Sequence, residues 1–122
     1  MLAHLRTKAQ FDAVFAGRLI ASTPHFALHY VAQPALAVGA VIPKRWARRA
    51  VTRNTIKRQV YAVSHAMAAH VNVGHYVVRL RMEFSRKDFP SATSDPLKQA
   101  VRVQLHSLWT KVAKAAPNVA TP

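Results

Sequence analysis

The sequence predicts an α+β domain in which a mixed sheet of about four strands packs with helices on one of its sides. Two observations favour this class. Segments with the two-residue period of strands are interspersed with segments that have the 3.6-residue period of helices. The length of 122 residues and the 51% of hydrophobic side chains suffice for one core. We expect a single domain over residues 1–115 and a disordered tail over residues 116–122.

The first predicted element is a short helix. Thr7 and Gln10 have the spacing of a capping box, in which each side chain binds the other residue's backbone N–H. Apolar residues at helical spacing follow, and Gly17 is a natural end, which predicts a helix over about residues 8–16.

Two strands come next. Residues 26–32 alternate, with Phe26, Leu28 and Tyr30 on one face. Residues 37–42 are apolar on both faces, as in a central strand, and Pro43 cannot continue the ladder. A turn is expected between the two strands.

The longest predicted helix covers residues 50–69, which contain neither Gly nor Pro. The apolar stripe of this helix consists of Ile56, Val60, Val63 and Met67. Its basic and polar residues, among them Arg53 and Arg58, share an arc of roughly 140° on another face. We therefore expect Arg53 and Arg58 to be surface residues.

The last predicted elements are a strand and a helix. Residues 76–84 alternate, with Val78, Leu80, Met82 and Phe84 inward and Val77, Arg79, Arg81 and Glu83 outward. After a loop, Asp95 is expected to cap a helix that has Pro96 at its first position. The buried stripe of that helix would contain Leu97, Val101, Leu105, Leu108 and Val112.

The composition points to an anionic partner. Eighteen Lys and Arg residues against four Asp and Glu residues leave a net charge of +14, and a folded domain with so strong a field is expected to meet a polyanion. The absence of cysteine excludes a disulfide framework and a cysteine nucleophile. Neither a signal peptide nor a membrane span is visible, so we expect a soluble, cytoplasmic protein.

The positive charge is concentrated in one stretch, residues 44–58, which we call the basic segment. Seven of its fifteen residues are Lys or Arg and none is acidic. Arginine matches phosphate oxygens with two parallel donors, and lysine adds a mobile point charge. A solvated helix face is the ordinary alternative, but no carboxylate at i, i+4 spacing relieves the repulsion here. The segment therefore predicts phosphate binding.

Aromatic and histidine residues are less specific. Phe11 and Phe15 could stack on single-stranded bases beside the basic segment, although burial in the core is the more ordinary role for them. Trp46 and Trp109 are expected to pack or to receive a nearby arginine. The seven histidines lack the spacing of a metal site, and no catalytic arrangement can be assembled, so we predict neither catalytic nor metal-binding residues.

The residues from Lys44 to Arg58 closely resemble the signature of the bacterial ribonuclease P protein subunit. In that family a basic pair ends a strand, and Ala-Val-x-Arg-Asn-x-Ile-Lys-Arg opens a long helix; here the run is Ala50-Val51-Thr52-Arg53-Asn54-Thr55-Ile56-Lys57-Arg58. The match is specific over residues 37–61, and element order agrees over residues 2–115. The resemblance implies a left-handed βαβ crossover, against the usual rule.

The resemblance also implies a function. The family's members are accessory subunits of a ribozyme whose RNA, with Mg²⁺ held mainly by that RNA and the substrate, removes the 5′ leader of precursor tRNA. The protein alone is expected to be inactive, and one monomer is expected per RNA. By matching position and charge, the implied RNA-binding residues are Lys44, Arg45, Arg48, Arg49, Arg53, Asn54, Lys57 and Arg58. The implied leader cleft contains Phe11, Phe15, His29 and Tyr61.

The sequence departs from the family pattern at three positions. Thr55 and Tyr61 stand where further arginines are common, and His29 stands where a tyrosine often lies in the cleft. Tyr30, the neighbour of His29, should point to the opposite face of the sheet. A structural RNA-binding protein of ribosomal type and a DNA-compacting protein are the alternatives. The Arg-Asn-x-Ile-Lys-Arg motif argues against the first, and the lack of an evident extended arm or dimer argues against the second.

Overall fold

Five strands and three helices follow one another in the computed structural model, which describes residues 2–85, 87–89, 91 and 94–115. The elements are β1 (Ala3–His4), α1 (Lys8–Phe15), β2 (Arg18–Ser22), β3 (Phe26–Val31), β4 (Ala37–Val41), α2 (Ala50–Met67), β5 (His75–Leu80) and α3 (Asp95–Ala115). A short 3₁₀ turn, Ala68–His70, continues α2. Residues 116–122, the predicted disordered tail, lie outside the described residues.

The strands form one mixed sheet in the order β1-β4-β5-β3-β2. β5 runs parallel to β4 and antiparallel to β3, and the edge pairs are parallel β1–β4 and antiparallel β2–β3. Parallel neighbours need a crossover connection, which α2 supplies between β4 and β5. The predicted α+β class is confirmed, with five strands instead of about four. The left-handed sense of the crossover stays a prediction.

The two strands that sequence analysis missed are the sheet edges. β1 has only two residues, both exposed, so it carries no periodic signal. β2 has a register shift between Leu19 and Ala21, and Leu19 is 59% exposed, so the strict alternation of a half-buried strand is broken. The predicted strand over residues 76–84 was too long, because β5 ends at Leu80 and Met82 is half exposed.

Helices cover both faces of the sheet, so the prediction of helices on one side was wrong. Tyr76 and Val78 of β5 join the larger core with α2 and α3. Val77, between them, is fully buried in a second core with Val14 of α1 and Ala37 of β4. Val77 was predicted to point outward; it does point away from the larger core, but α1 covers it. We call the side that bears Val77 the α1 face.

The helices otherwise follow the predicted patterns. Thr7 and Gln10 form both hydrogen bonds of the capping box at the start of α1. The stripe of α3 is buried as predicted. Its cap, however, is Ser94 and not Asp95: Ser94 Oγ accepts a hydrogen bond from the backbone N–H of Leu97 at 3.2 Å. The helix therefore starts at Asp95, one residue earlier than predicted, and Pro96 occupies its second position.

Gly39 allows α1 to approach the sheet closely. A Cβ built on this residue of β4 would lie 2.4 Å from Cε1 of Phe11, so any side chain at position 39 would have to displace the ring. Phe11 thus lies against the backbone of β4 and packs on the second core, the ordinary role that its helical spacing favours.

We predict that Gly39→Ala lowers the free energy of unfolding by about 1–3 kcal/mol, because the added methyl group overpacks the contact with Phe11. Urea unfolding of the single variants Gly39→Ala and Phe11→Leu and of the double variant measures the coupling between the two positions. The substitution at Gly39 should cost less in the Phe11→Leu background. An equal cost in both backgrounds would show that the ring is not what Gly39 accommodates.

Candidate nucleic-acid interface

The basic segment connects the end of β4 to the first two turns of α2. Within it, backbone N–H groups of Trp46 and Ala47 donate to Pro43 O, both at 3.1 Å, which folds the residues after β4 into a turn. Most of the predicted RNA-binding side chains are exposed: Lys44, Arg45, Arg48, Arg49, Asn54, Lys57 and Arg58. The Arg45 guanidinium lies 5.2 Å from the centre of the Trp46 ring, as the prediction for that tryptophan allowed.

Arg53 differs from the other cations of the segment because it is half-buried. Its Nη1 donates to the carbonyl oxygens of Ala47 at 3.0 Å and Arg48 at 2.8 Å. The expectation that Arg53 is a plain surface residue was wrong: its side chain ties the first turns of α2 to the turn before it. A guanidinium has five N–H donors, so those on Nε and Nη2 remain available to a phosphate.

The outer side of α2 carries one shallow groove, lined by Asn54, Lys57, Arg58 and Tyr61, which we call the α2 groove. Arg58 Nε lies 3.4 Å from Asn54 O, one turn earlier. Lys57 and Arg58 form no ion pair with another described residue, and the exposed pair Lys8–Asp12, 2.7 Å apart, lies elsewhere on α1. The groove thus combines uncompensated cations, an amide and an aromatic ring.

Tyr61 closes one end of the α2 groove by stacking on His4 of β1. The two ring centroids are 3.8 Å apart and the ring planes differ by 17°. Burial raises the pKa of the Tyr61 phenol, an effect that the Ala40 backbone partly offsets. Tyr61 is therefore placed with the basic residues of α2, not beside the other predicted cleft residues.

A second group of polar and aromatic side chains lies on the α1 face. The rings of Phe15 and His29 meet edge to face with centroids 5.0 Å apart, and Phe15 is 38% exposed. Arg79 Nε donates to His29 Nε2 at 3.2 Å. Burial, and secondarily the charge of Arg79, lowers the pKa of His29. Of the four predicted cleft residues, the structure thus places Phe11, Phe15 and His29 on this face.

Arg79 was not predicted as a site residue. Its alternation with Val77 places it on the α1 face, and that period was the only signal in the sequence that could have found it. Tyr30 lies on the opposite face, as predicted, where its hydroxyl donates to Val73 O at 2.8 Å. Trp109 is buried against Tyr76, with ring centroids 5.1 Å apart, as expected for a packing residue.

The described residues contain neither a metal-binding cluster nor a membrane-spanning helix. Among them, no three His, Asp or Glu side chains come together in a way that could hold a metal ion. None of their helices combines the length and the hydropathy that a membrane span requires.

The sequence matches the profile of a known protein family. The profile of the family described as Ribonuclease P matches residues 2–112, which include all five strands and most of α3. The chain belongs to the ribonuclease P protein family.

Individual relatives agree with that assignment. The chain is 34% identical over 125 residues to the ribonuclease P protein component of Ralstonia pickettii, covering 98% of this chain and 87% of the relative. It is 33% identical over 119 residues to the ribonuclease P protein component of Bordetella parapertussis, covering 92% and 93%.

Solved structures of family members have the same fold. The ribonuclease P protein of Staphylococcus aureus superposes with a TM-score of 0.66 at 18% identity, over 95% of this chain and 96% of that one. The protein of Thermotoga maritima superposes with a TM-score of 0.66 at 21% identity, over 85% and 92%. The α+β architecture is therefore the family's architecture.

We predict that Arg53→Ala destabilises the fold and that Arg58→Ala does not. The Arg53 variant loses two hydrogen bonds from a charged donor, so its free energy of unfolding should be lower than that of the wild type by about 1–3 kcal/mol. Arg58 is exposed, so its replacement should change stability by about 0.5 kcal/mol or less. Urea unfolding of both variants measures the difference. Equal stabilities would contradict the anchoring role of Arg53.

We predict that His29 makes stability depend on pH below its ordinary pKa of 6.5. Because the folded state lowers this pKa, it favours the neutral ring; the stabilisation is present above pH 6.5 and is lost as the pH falls through the folded-state value. His29→Gln keeps an acceptor for Arg79 and does not titrate. Between about pH 7.5 and pH 5, the wild type should lose more unfolding free energy than this variant. Parallel profiles would refute the prediction.

Proposed function

We propose that this chain is the protein subunit of the ribonuclease P ribonucleoprotein, in which it binds the catalytic RNA and the 5′ leader of precursor tRNA. The observation that carries the proposal is the α2 groove, in which Asn54, Lys57 and Arg58 of the family signature lie together without a neutralising carboxylate within the described part of the chain. In this proposal the protein assists the endonucleolytic removal of the leader that produces the mature 5′ end of the tRNA.

The α2 groove and the turn before it fit an RNA backbone in charge and in shape. Exposed arginines offer forked donors to phosphate oxygens, and Arg53 holds the turn so that Lys44, Arg45 and Arg48 stay at the start of α2. Counterion release from phosphates supplies most of the affinity in such interfaces, and makes it strongly dependent on salt.

The α1 face suits a single-stranded leader. Phe15 offers an exposed ring on which a base can stack, with His29 and Arg79 as hydrogen-bonding neighbours. Stacking on an aromatic ring tolerates any base, which suits a subunit that meets many precursor tRNAs.

Cleavage itself is assigned to the RNA subunit. The chemistry needs Mg²⁺, and hard cations of this kind prefer carboxylate, phosphate and water oxygens. The four acidic residues, Asp12, Glu83, Asp88 and Asp95, do not form a cluster among the described residues, whereas RNA supplies phosphates in abundance. The protein residues bind and orient RNA, and one protein monomer acts with each RNA in the cytoplasm.

The test is reconstitution with a bacterial ribonuclease P RNA. At Mg²⁺ concentrations too low for the RNA alone, adding the protein should restore cleavage of precursor tRNA at the leader junction, and the protein without RNA should be inactive. Failure to stimulate cleavage, together with no preference for this RNA over a control RNA of equal length, would refute the proposal.

We predict that Phe15→Ala weakens binding of leader-bearing tRNA to the reconstituted holoenzyme about tenfold or more, because stacking contributes roughly 1–3 kcal/mol per base. Binding of mature tRNA, which has no leader, should not change. Phe89→Ala serves as a second aromatic substitution away from the α1 face, since Phe89 packs on Phe84. An equal loss for both tRNAs would show that Phe15 acts only through packing.

A further inference from the structure

A small basic cavity lies between α2 and α3. It has a volume of about 140 Å³ and is lined by Thr55, Arg58, Gln59 and Lys98. A water molecule occupies about 30 Å³ of liquid, so the cavity has room for one phosphate group with a few waters. We call it the α2–α3 groove.

Arg102, one turn after Lys98, is tied to Gln59, which lines this groove. Its Nε donates to Gln59 Oε1 at 2.6 Å, a bond that joins α3 to α2. Because the acceptor is a neutral amide, the bond orients the guanidinium and leaves its charge and its terminal N–H groups available.

Two cations, Arg58 and Lys98, therefore line the cavity, and a third, Arg102, is bonded to its lining residue Gln59. Asp95, one turn before Lys98, forms no salt bridge with it, and within the described part of the chain neither Lys98 nor Arg102 has a carboxylate partner. Like charges that share a groove raise the free energy of the unliganded protein, and an anion placed among them removes that cost. A tetrahedral oxyanion suits the two arginine forks and the lysine ammonium.

The α2–α3 groove adjoins the α2 groove, because Arg58 lines both. A chain of phosphates that follows the α2 groove can therefore meet Arg58 on one side and Lys98 on the other. A polymer with regularly spaced phosphates is thus a better match than an isolated anion or an acidic peptide.

We propose that the α2–α3 groove binds a backbone phosphate of ribonuclease P RNA, so that the RNA-binding surface extends from the basic segment onto Lys98 and Arg102 of α3. The proposal rests on the proposed function in naming this RNA. It adds residues that lie some 40 positions beyond the family signature and that meet it only in the folded protein.

The salt dependence of RNA binding tests the groove. The double variant Lys98→Gln, Arg102→Gln removes the cations proposed to hold one phosphate, so the slope of log K against log [KCl] should become shallower by up to about 0.7–0.9, the loss of one contact. The matched control is Arg18→Gln, Lys111→Gln, which removes two exposed charges beside β2, where Lys111 Nζ donates to Ser22 O. This control should keep the slope of the wild type.

Equal slopes for the two double variants would overturn the proposal that the α2–α3 groove binds a phosphate. The proposed function would stand as long as the wild type binds ribonuclease P RNA in preference to the control RNA. Loss of that preference in the wild type would refute the proposed function instead. Thermal stabilisation by inorganic phosphate without any difference in RNA slopes would mean an isolated anion site, and would also overturn the proposal.

A proximity measurement gives a second, independent readout. The chain has no cysteine, so a single cysteine can carry an iron–EDTA cleavage reagent. Attached at the exposed position Gln99, beside the groove, the reagent should cut bound ribonuclease P RNA at discrete sites. Attached at Leu19, which is 59% exposed on the edge strand β2, it should not cut at those sites. Absence of cutting from position 99 would contradict the proposal.

Discussion

The pairing of β5 is the constraint on which the remaining structure depends. This strand runs parallel to β4 and antiparallel to β3, and Tyr76, Val77 and Val78 are buried on both of its faces. A parallel pair requires a crossover, so the chain after β4 must leave the sheet, pass through α2 and return as β5. The basic segment occupies the start of that crossover. The basic segment therefore owes its place after β4 to the pairing of β5, although β5 contains none of the residues of the segment.

The same sheet separates two surfaces of different character. α2 and α3 cover one face with the larger core, and their outer sides carry the basic grooves. The short helix α1 covers only part of the other face, so Phe15, His29 and Arg79 remain accessible beside a small second core. Exposed cations are thus gathered on α2 and α3, and the exposed ring of Phe15 on α1 lies with His29 and Arg79 on the other side. This division fits a protein that holds a folded RNA on one side and a single strand on the other.

Elements with a long, clean period were predictable from the sequence, and elements defined by tertiary contacts were not. The stripe from Ile56 to Met67 identified α2. The signature within it identified the family, and the RNA-binding role of its residues stays a prediction. Val77 was misplaced because periodicity separates the faces of a strand but does not say whether a helix covers the second one. The bond from Arg102 to Gln59 spans 43 positions, so no local pattern could indicate it. Arg53 had the right arc for a surface residue, yet the turn before α2 folds over it.

Three arginine side chains of the protein are held in place by neutral acceptors, so their charges are not compensated by these acceptors. Arg53 donates to two backbone carbonyls, Arg79 to an imidazole and Arg102 to an amide, and all three acceptors are neutral. A carboxylate would hold each guanidinium as firmly but would cancel its charge and compete with phosphate. A neutral acceptor fixes the side chain, reduces the rotamer entropy that binding would otherwise cost, and leaves the positive field intact. The net charge of +14 comes from eighteen Lys and Arg residues against four acidic ones, and the repulsion that it leaves in the free protein is one that a bound polyanion would relieve.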